Sequence, residues 1–287
     1  MNLFTPAEAT RNYAKASVSK ASMPLTKMFL LSILAGILIA FPGAVTNMAS
    51  YALDNNSSIR MVSGLLFAFG LGMVILSGAE LFTGNTLMSI GVFEKAISVK
   101  LLLRNWVPVF VGNFIGSLIV AFICAKFGWV GAGDGALAVF CMKVAAGKVT
   151  MPFQNAFFMG ILCNILVTLG VMFSLSAKDV PGRIIAAYTP VAFFVICGFN
   201  HSIADMFYCT VGLFSKAQYA AQAAASGVAV DSLTWGNYFA GNLLPVTLGN
   251  VVGGVLIGFV FWYAHLRGTK SEKCAAQRDR GAGQGSA

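Results

Sequence analysis

His201 lies inside an apolar stretch, in Cys197-Gly-Phe-Asn200-His201-Ser-Ile-Ala-Asp205, while the second of two histidines, His265, falls at the end of the last apolar run, where it needs no function. An imidazole in such surroundings can take up or give up a proton near neutral pH. A second polar interruption, Ser77-Gly-Ala-Glu80-Leu81-Phe82-Thr83-Gly-Asn85, puts a carboxylate, a hydroxyl, two glycines and an asparagine into another apolar run. Ionisable groups buried in apolar sequence are costly and point to a pathway or a proton role. Glu80 and Asp205 have two open roles: that one, or plain hydrogen bonding that holds an interrupted helix in shape. Lys148, five residues after Lys143, reads by its type alone as a solvated loop charge. Facing a pore mouth, it would instead concentrate anions there.

Other chemistries are poorly supplied. The six cysteines show no CxxC spacing and no histidine pairing, so neither a zinc site nor a disulfide framework is expected. One deep histidine is too few for metal catalysis, and Ser77 and Ser202 lack a nucleophile-elbow motif. An intramembrane enzyme built on His201 with Glu80 or Asp205 is thus a remote reading. No metal and no cofactor are expected.

The elements that must position these groups follow from composition. Of 287 residues, 57% are hydrophobic and 10% charged, with mean hydropathy +0.79, whereas soluble domains carry about 25% charged residues. A water-soluble globule, a disordered chain, a coiled coil and a nucleic-acid partner are excluded on that ground. Six runs reach the roughly 20 apolar residues a bilayer crossing needs: 28–50, 61–82, 106–127, 152–176, 183–199 (continuing more weakly to 214) and 237–264. The expectation is an all-α membrane protein whose partner is the lipid bilayer. Residues 1–27 form an amphipathic lead-in lying on the membrane surface, 28–265 the six-span domain, and 266–287 a disordered tail. With both termini cytoplasmic, fourteen of the 19 basic side chains fall inside and five (Arg60, Lys126, Lys143, Lys148, Lys216) outside. That bias predicts a multi-pass protein of the inner or plasma membrane and makes the net charge of +9 mainly a topology signal.

The chain repeats itself. Asn105-Trp-Val-Pro108-Val-Phe-Val-Gly112-Asn113-Phe-Ile-Gly116 returns 137 residues later as Asn242-Leu-Leu-Pro245-Val-Thr-Leu-Gly249-Asn250-Val-Val-Gly253, with six positions identical. Two halves, about 28–130 and 150–265, then hold three spans each. An odd number of spans inserts the second half upside down, giving a 3+3 inverted repeat. The glycines read as close helix packing. Each half carries one of the polar interruptions, so the second and fifth helices are expected to break there. Such breaks line transporter sites and expose helix N-termini that favour anions. They also weigh against a purely structural or receptor-like membrane protein, since they are costly unless they line a cavity. Some of the 24 phenylalanines, next to the breaks, would form apolar constrictions.

At these residues the sequence resembles the formate–nitrite transporter family. The resemblance rests on Glu80-Leu-Phe-Thr83-Gly-Asn85, Gly160-Ile-Leu-Cys-Asn164, Gly198-Phe-Asn-His201-Ser-Ile-Ala-Asp205-Met and Asn242-Leu-Leu-Pro-Val-Thr-Leu-Gly-Asn250, in family order over about 28–265. It implies a homopentamer of six-span protomers, aquaporin-like in outline, with one pore per protomer; the Asn-Pro-Ala signature of water channels is absent. It also implies roles: His201 as the pore histidine, Thr83 as the threonine of the broken second helix, Lys148 as a vestibule lysine and Asn164 as the asparagine of the fourth span. Leu81, Phe82 and Phe194, joined by Phe67, Leu71 and Val167, would form the constrictions. Glu80, Asn200 and Asp205 would support the breaks. The implied cargo is a small monovalent anion, formate ahead of hydrosulfide and nitrite, with pH-dependent passage. One departure stands out: the family places Glu before the histidine and Asn four residues after it, where this chain has Asn200 and Asp205.

Overall fold

A computed structural model describes residues 3–267. With no water in a bilayer core, backbone polar groups must pair within their own segment, and the apolar runs accordingly form helices. The chain runs through α1 (Pro6–Ser22), α2 (Leu25–Ser50), α3 (Asn56–Phe67), α4 (Phe69–Ser77), α5 (Phe82–Asn85), α6 (Ser89–Phe93), α7 (Val99–Lys126), α8 (Ala136–Val149), α9 (Phe153–Ser176), α10 (Val180–Cys197), α11 (Ser202–Ala225), α12 (Trp235–Asn237) and α13 (Leu244–His265). Among the described residues, six segments are long and apolar enough to cross a membrane: Leu25–Ser50, Asn56–Ser77, Val99–Lys126, Phe153–Ser176, Val180–Cys197 and Trp235–His265. These are the six spans expected, with shifted ends. The third begins at Val99 because Ser98 caps it, accepting from the Leu101 amide at 3.3 Å. The expectation of a disordered tail, beyond Arg267, lies outside the described residues.

Two helix pairs carry the frame, α2 with α7 and α9 with α13. Both depend on the repeated glycines. A Cβ at Gly116 would strike the Ile33 carbonyl, and one at Gly253 the Ile161 carbonyl. Small residues let membrane helices approach this closely.

Two elements depart from the sequence reading. The segment 134–147, long enough in sequence for a short helix, is one, but Lys148 on it is no solvated loop charge: α8 buries Leu137, Ala138, Cys141, Met142, Ala145 and Ala146 and packs along α11. The lead-in also does more than cover lipid. α1 opens with a capping box, in which the Glu8 amide donates to the Thr5 hydroxyl at 3.3 Å and the Thr5 amide to the Glu8 carboxylate at 2.8 Å. Its buried face (Ala9, Tyr13, Ala14, Ser17, Ala21) packs against α6, α7, α9 and α13.

Candidate functional site

Both breaks are built alike. α4 ends on Gly78 (φ +66°) and α10 on Gly198 (φ +75°), left-handed positions that suit glycine. The same reverse turn closes each helix: Ala79 N–H donates to the Val74 carbonyl at 3.1 Å, and Phe199 N–H to the Phe194 carbonyl at 2.9 Å. An asparagine from the repeated motif then clamps the extended stretch. Asn113 accepts from the Phe82 amide at 2.9 Å and donates to the Ser32 and Glu80 carbonyls at 2.8 and 2.9 Å. Asn250 accepts from the Ser202 amide at 2.9 Å and donates to the Gly160 and Asn200 carbonyls at 2.8 and 3.1 Å. The duplicated asparagines thus satisfy the backbone groups that each break releases.

The clamps bring His201 to Thr83. His201 caps α11 with its Nδ1 accepting from the Ala204 amide at 3.1 Å, and its Nε2 lies 2.8 Å from the Thr83 hydroxyl. Since Nδ1 is an acceptor, the neutral ring carries its proton on Nε2, aimed at Thr83. Asn164 holds this region from α9, donating to the Thr86 hydroxyl at 3.0 Å and to the Asn250 and Thr83 carbonyls at 2.6 and 3.4 Å.

A quartet of polar side chains backs each break. Behind the first, Glu80 accepts from Lys20 at 2.5 Å, from Asn85 at 2.7 Å and from Asn105 at 3.4 Å. Behind the second, Lys148 pairs with Asp205 at 2.5 Å and donates to Asn200 at 3.0 Å, while Asn242 donates to Asp205 at 3.1 Å. The exchanged Asn200 and Asp205 therefore both reach the one lysine.

Two chambers flank His201. One, about 280 Å³, is lined by Arg60, Phe67, Lys148, Phe194, His201, Asp205 and Tyr208 among others. The other, about 210 Å³, is lined by Tyr13, Lys20, Leu71, Leu81, Asn85 and Val171 among others. Between them is a gap of about 10 Å³ lined by Ile39, Phe67, Leu71, Leu81, Val167, Val191, Phe194 and His201. That volume is at the lower limit for a single water. Phe67, Phe194 and His201 also line the Lys148 chamber, and Leu71 and Leu81 the Lys20 chamber, so each chamber adjoins the gap.

Of the six residues expected at the constriction, five are in this gap. Phe82 is not: its ring packs edge-on against Trp106 and Phe110, with centroids 5.9 and 5.0 Å away. The residue before Thr83 starts α5, and helical geometry turns its side chain toward α7. Ile39 and Val191 take part instead; each is one aliphatic residue in a largely apolar span and nothing in the sequence marks it. Lys20 was also missed, because a lysine on a short polar helix looks like any charge beside a membrane. Its sequence signal was the unpaired Glu80.

Residues 7–264 match the family model described as formate/nitrite transporter. A probable formate transporter of Methanothermobacter thermautotrophicus is 34% identical over 282 residues, spanning 92% of this chain and 97% of its own length. The formate channel FocA of Haemophilus influenzae is 33% identical, spanning 90% and 93%. Among solved structures, a pentameric formate channel with formate bound superposes with a TM-score of 0.75 at 33% identity, covering 85% of this chain and 98% of that one. A channel of the FNT family gives 0.77 at 27% identity, covering 89% and 98%.

Proposed function

The chain belongs to the formate/nitrite transporter family, as a multi-pass membrane protein, and from that premise we propose that each protomer passes a small monovalent weak-acid anion, formate first, through the gap beside His201. The observation that carries this reading is the succession of chamber, gap and chamber, with one imidazole lining the gap and the Thr83 hydroxyl hydrogen-bonded behind it. The apolar ring imposes a desolvation cost that a bare anion cannot meet, whereas the neutral acid loses far less on leaving water. The Nε2–H of His201 leaves the Thr83 hydroxyl, 2.8 Å away, to donate to an anion entering from the Lys148 chamber, and that hydroxyl is then free to donate beside it. Because Nδ1 is held by the Ala204 amide, a proton can load there only by releasing the cap of α11. The ring thus acts first as a hydrogen-bond donor, and protonation of the cargo falls to the solvent side of the gap. Flux then rises as pH falls toward the acid's own pKa.

The remaining organisation follows the same reading. The two halves form an inverted repeat, supported by the matching clamps of Asn113 and Asn250. The Lys20 face is cytoplasmic, with both termini, on the strength of fourteen basic side chains assigned to it. The protein resides in the inner or plasma membrane. Residues 1–27 form a cytoplasmic segment and 28–265 the channel domain. Protomers assemble as homopentamers, as in the pentameric relative.

Stopped-flow light scattering of proteoliposomes, offering formate, nitrite, hydrosulfide and chloride at about pH 5 and about pH 7.5, tests the assignment. Faster formate passage at the lower pH, with chloride excluded, is expected. Equal passage of chloride, or flux independent of pH, overturns it.

A further inference from the structure

Lys148 lines its chamber together with its own counter-charge. Asp205 pairs with it at 2.5 Å and lines the same space, so the two together add little net field. The Lys20 chamber is balanced in the same way by Glu80. The charge left over is Arg60. It is exposed on α3 and lines the Lys148 chamber, and it takes part in neither of the two ion pairs formed among the described residues.

Its position is set by the break. Nη1 donates to the Ile196 carbonyl at 3.4 Å, at the C-terminal end of α10, where the helix dipole favours a cation. Gly198 makes the room: a side chain there would run into the guanidinium. One donor of five is thus engaged, and the others are free for a ligand. A planar guanidinium fork matches two equivalent oxygens on one centre.

We infer that Arg60 is an anion-capture site at the mouth of the Lys148 chamber, selective for two-oxygen anions such as formate and nitrite over hydrosulfide. This rests on the transport reading above. The site acts before the gap, so it governs how much anion is needed to load the pathway and leaves the rate of crossing alone. Among the described residues no unpaired cation lines the Lys20 chamber, so half-saturation is reached at lower formate from the Arg60 side.

The test is initial flux against anion concentration in oriented proteoliposomes for wild type, Arg60→Lys, Arg60→Gln and Arg60→Glu, in low salt and in about 0.15 M salt. Half-saturating formate should rise about 5-fold in Arg60→Gln and further in Arg60→Glu, with the maximal rate kept and the difference shrinking in salt. Arg60→Lys keeps the charge and loses the fork, so it should raise half-saturation for formate about 2-fold and leave hydrosulfide unchanged. Unaltered half-saturation in Arg60→Glu overturns the proposal. So does an equal fall of maximal rate in all three variants, which marks Arg60 as a clamp on α10 alone. A wild type that carries none of these anions overturns the transport reading itself and takes this site with it.

Discussion

At the break after α4 the quartet is Glu80, Asn85, Asn105 and Lys20; at the break after α10 it is Asn200, Asp205, Asn242 and Lys148. Carboxylate and amide have exchanged positions between the two, yet each quartet keeps one carboxylate and one lysine. The glycine turns and asparagine clamps are repeated bond for bond. Where the copies part is the N-cap residue just before the following helix, Leu81 in the first and His201 in the second. Both line the same narrow gap, so one wall is apolar and the other carries an imidazole. The two breaks share a scaffold that satisfies the backbone groups they release, and an imidazole stands on one of them only. The lysines make the same point, since each comes from outside the breaks, Lys20 from α1 and Lys148 from α8.

The equivalence of the scaffolds is broken most sharply at the clamps. Asn113→Leu and Asn250→Leu each leave two buried backbone groups of the extended stretch without a partner, the Phe82 amide and Glu80 carbonyl in one and the Ser202 amide and Asn200 carbonyl in the other, at about 1–3 kcal/mol apiece. Both should lose most of their folded yield and thermal stability, and to a similar extent; detergent-solubilised melting curves compare them. A large loss in one and a small loss in the other would mean that the repeats are not energetically alike. Next come the carboxylates. Asp205→Ala strands Lys148, and Glu80→Ala strands Lys20, in side chains that are 19% and 23% exposed. Removing one partner of a fully buried pair costs about 3–5 kcal/mol, and this exposure brings the expected loss nearer to about 2 kcal/mol. The double variant Asn200→Asp/Asp205→Asn should recover stability, because either position reaches the lysine. Failure of the double variant would show that position 205 is required in itself. The smallest effect sharpens the contrast between α1 and α8. The Tyr13 hydroxyl donates to the Gly84 carbonyl at 3.0 Å, and Tyr13→Phe should loosen α1 by about 1 kcal/mol. Faster amide exchange confined to α1 would record it.

Much of this was legible in the sequence because membrane helices tolerate few exceptions. Apolar length gave six spans, and Gly78 and Gly198 stood out as breaks because polar residues clustered around them. The repeated Asn113 and Asn250 were visible as a pattern, but not as clamps, since their partners are backbone carbonyls on other helices. Lys148 read as a loop charge by residue type alone and as a vestibule lysine only through the family resemblance; the packing of α8 along α11 supplies the physical reason it is buried. Lys20, Ile39 and Val191 carried no local signal, and the outward turn of the Phe82 ring depends on the register of a four-residue helix. Side-chain direction beside an irregular backbone is a tertiary outcome, and periodicity does not encode it.

The central claim is that cargo crosses the gap beside His201 with the help of its Nε2–H. The direct measurement is the pH profile of formate flux through His201→Ala in proteoliposomes, alongside Leu81→Ala on the apolar wall. A loss of about tenfold or more at neutral pH in His201→Ala, about 1.4 kcal/mol of barrier, with the rise of flux toward low pH kept in both variants, is the predicted result. A His201→Ala protein that folds normally and carries formate with the wild-type rate and pH profile would contradict the account.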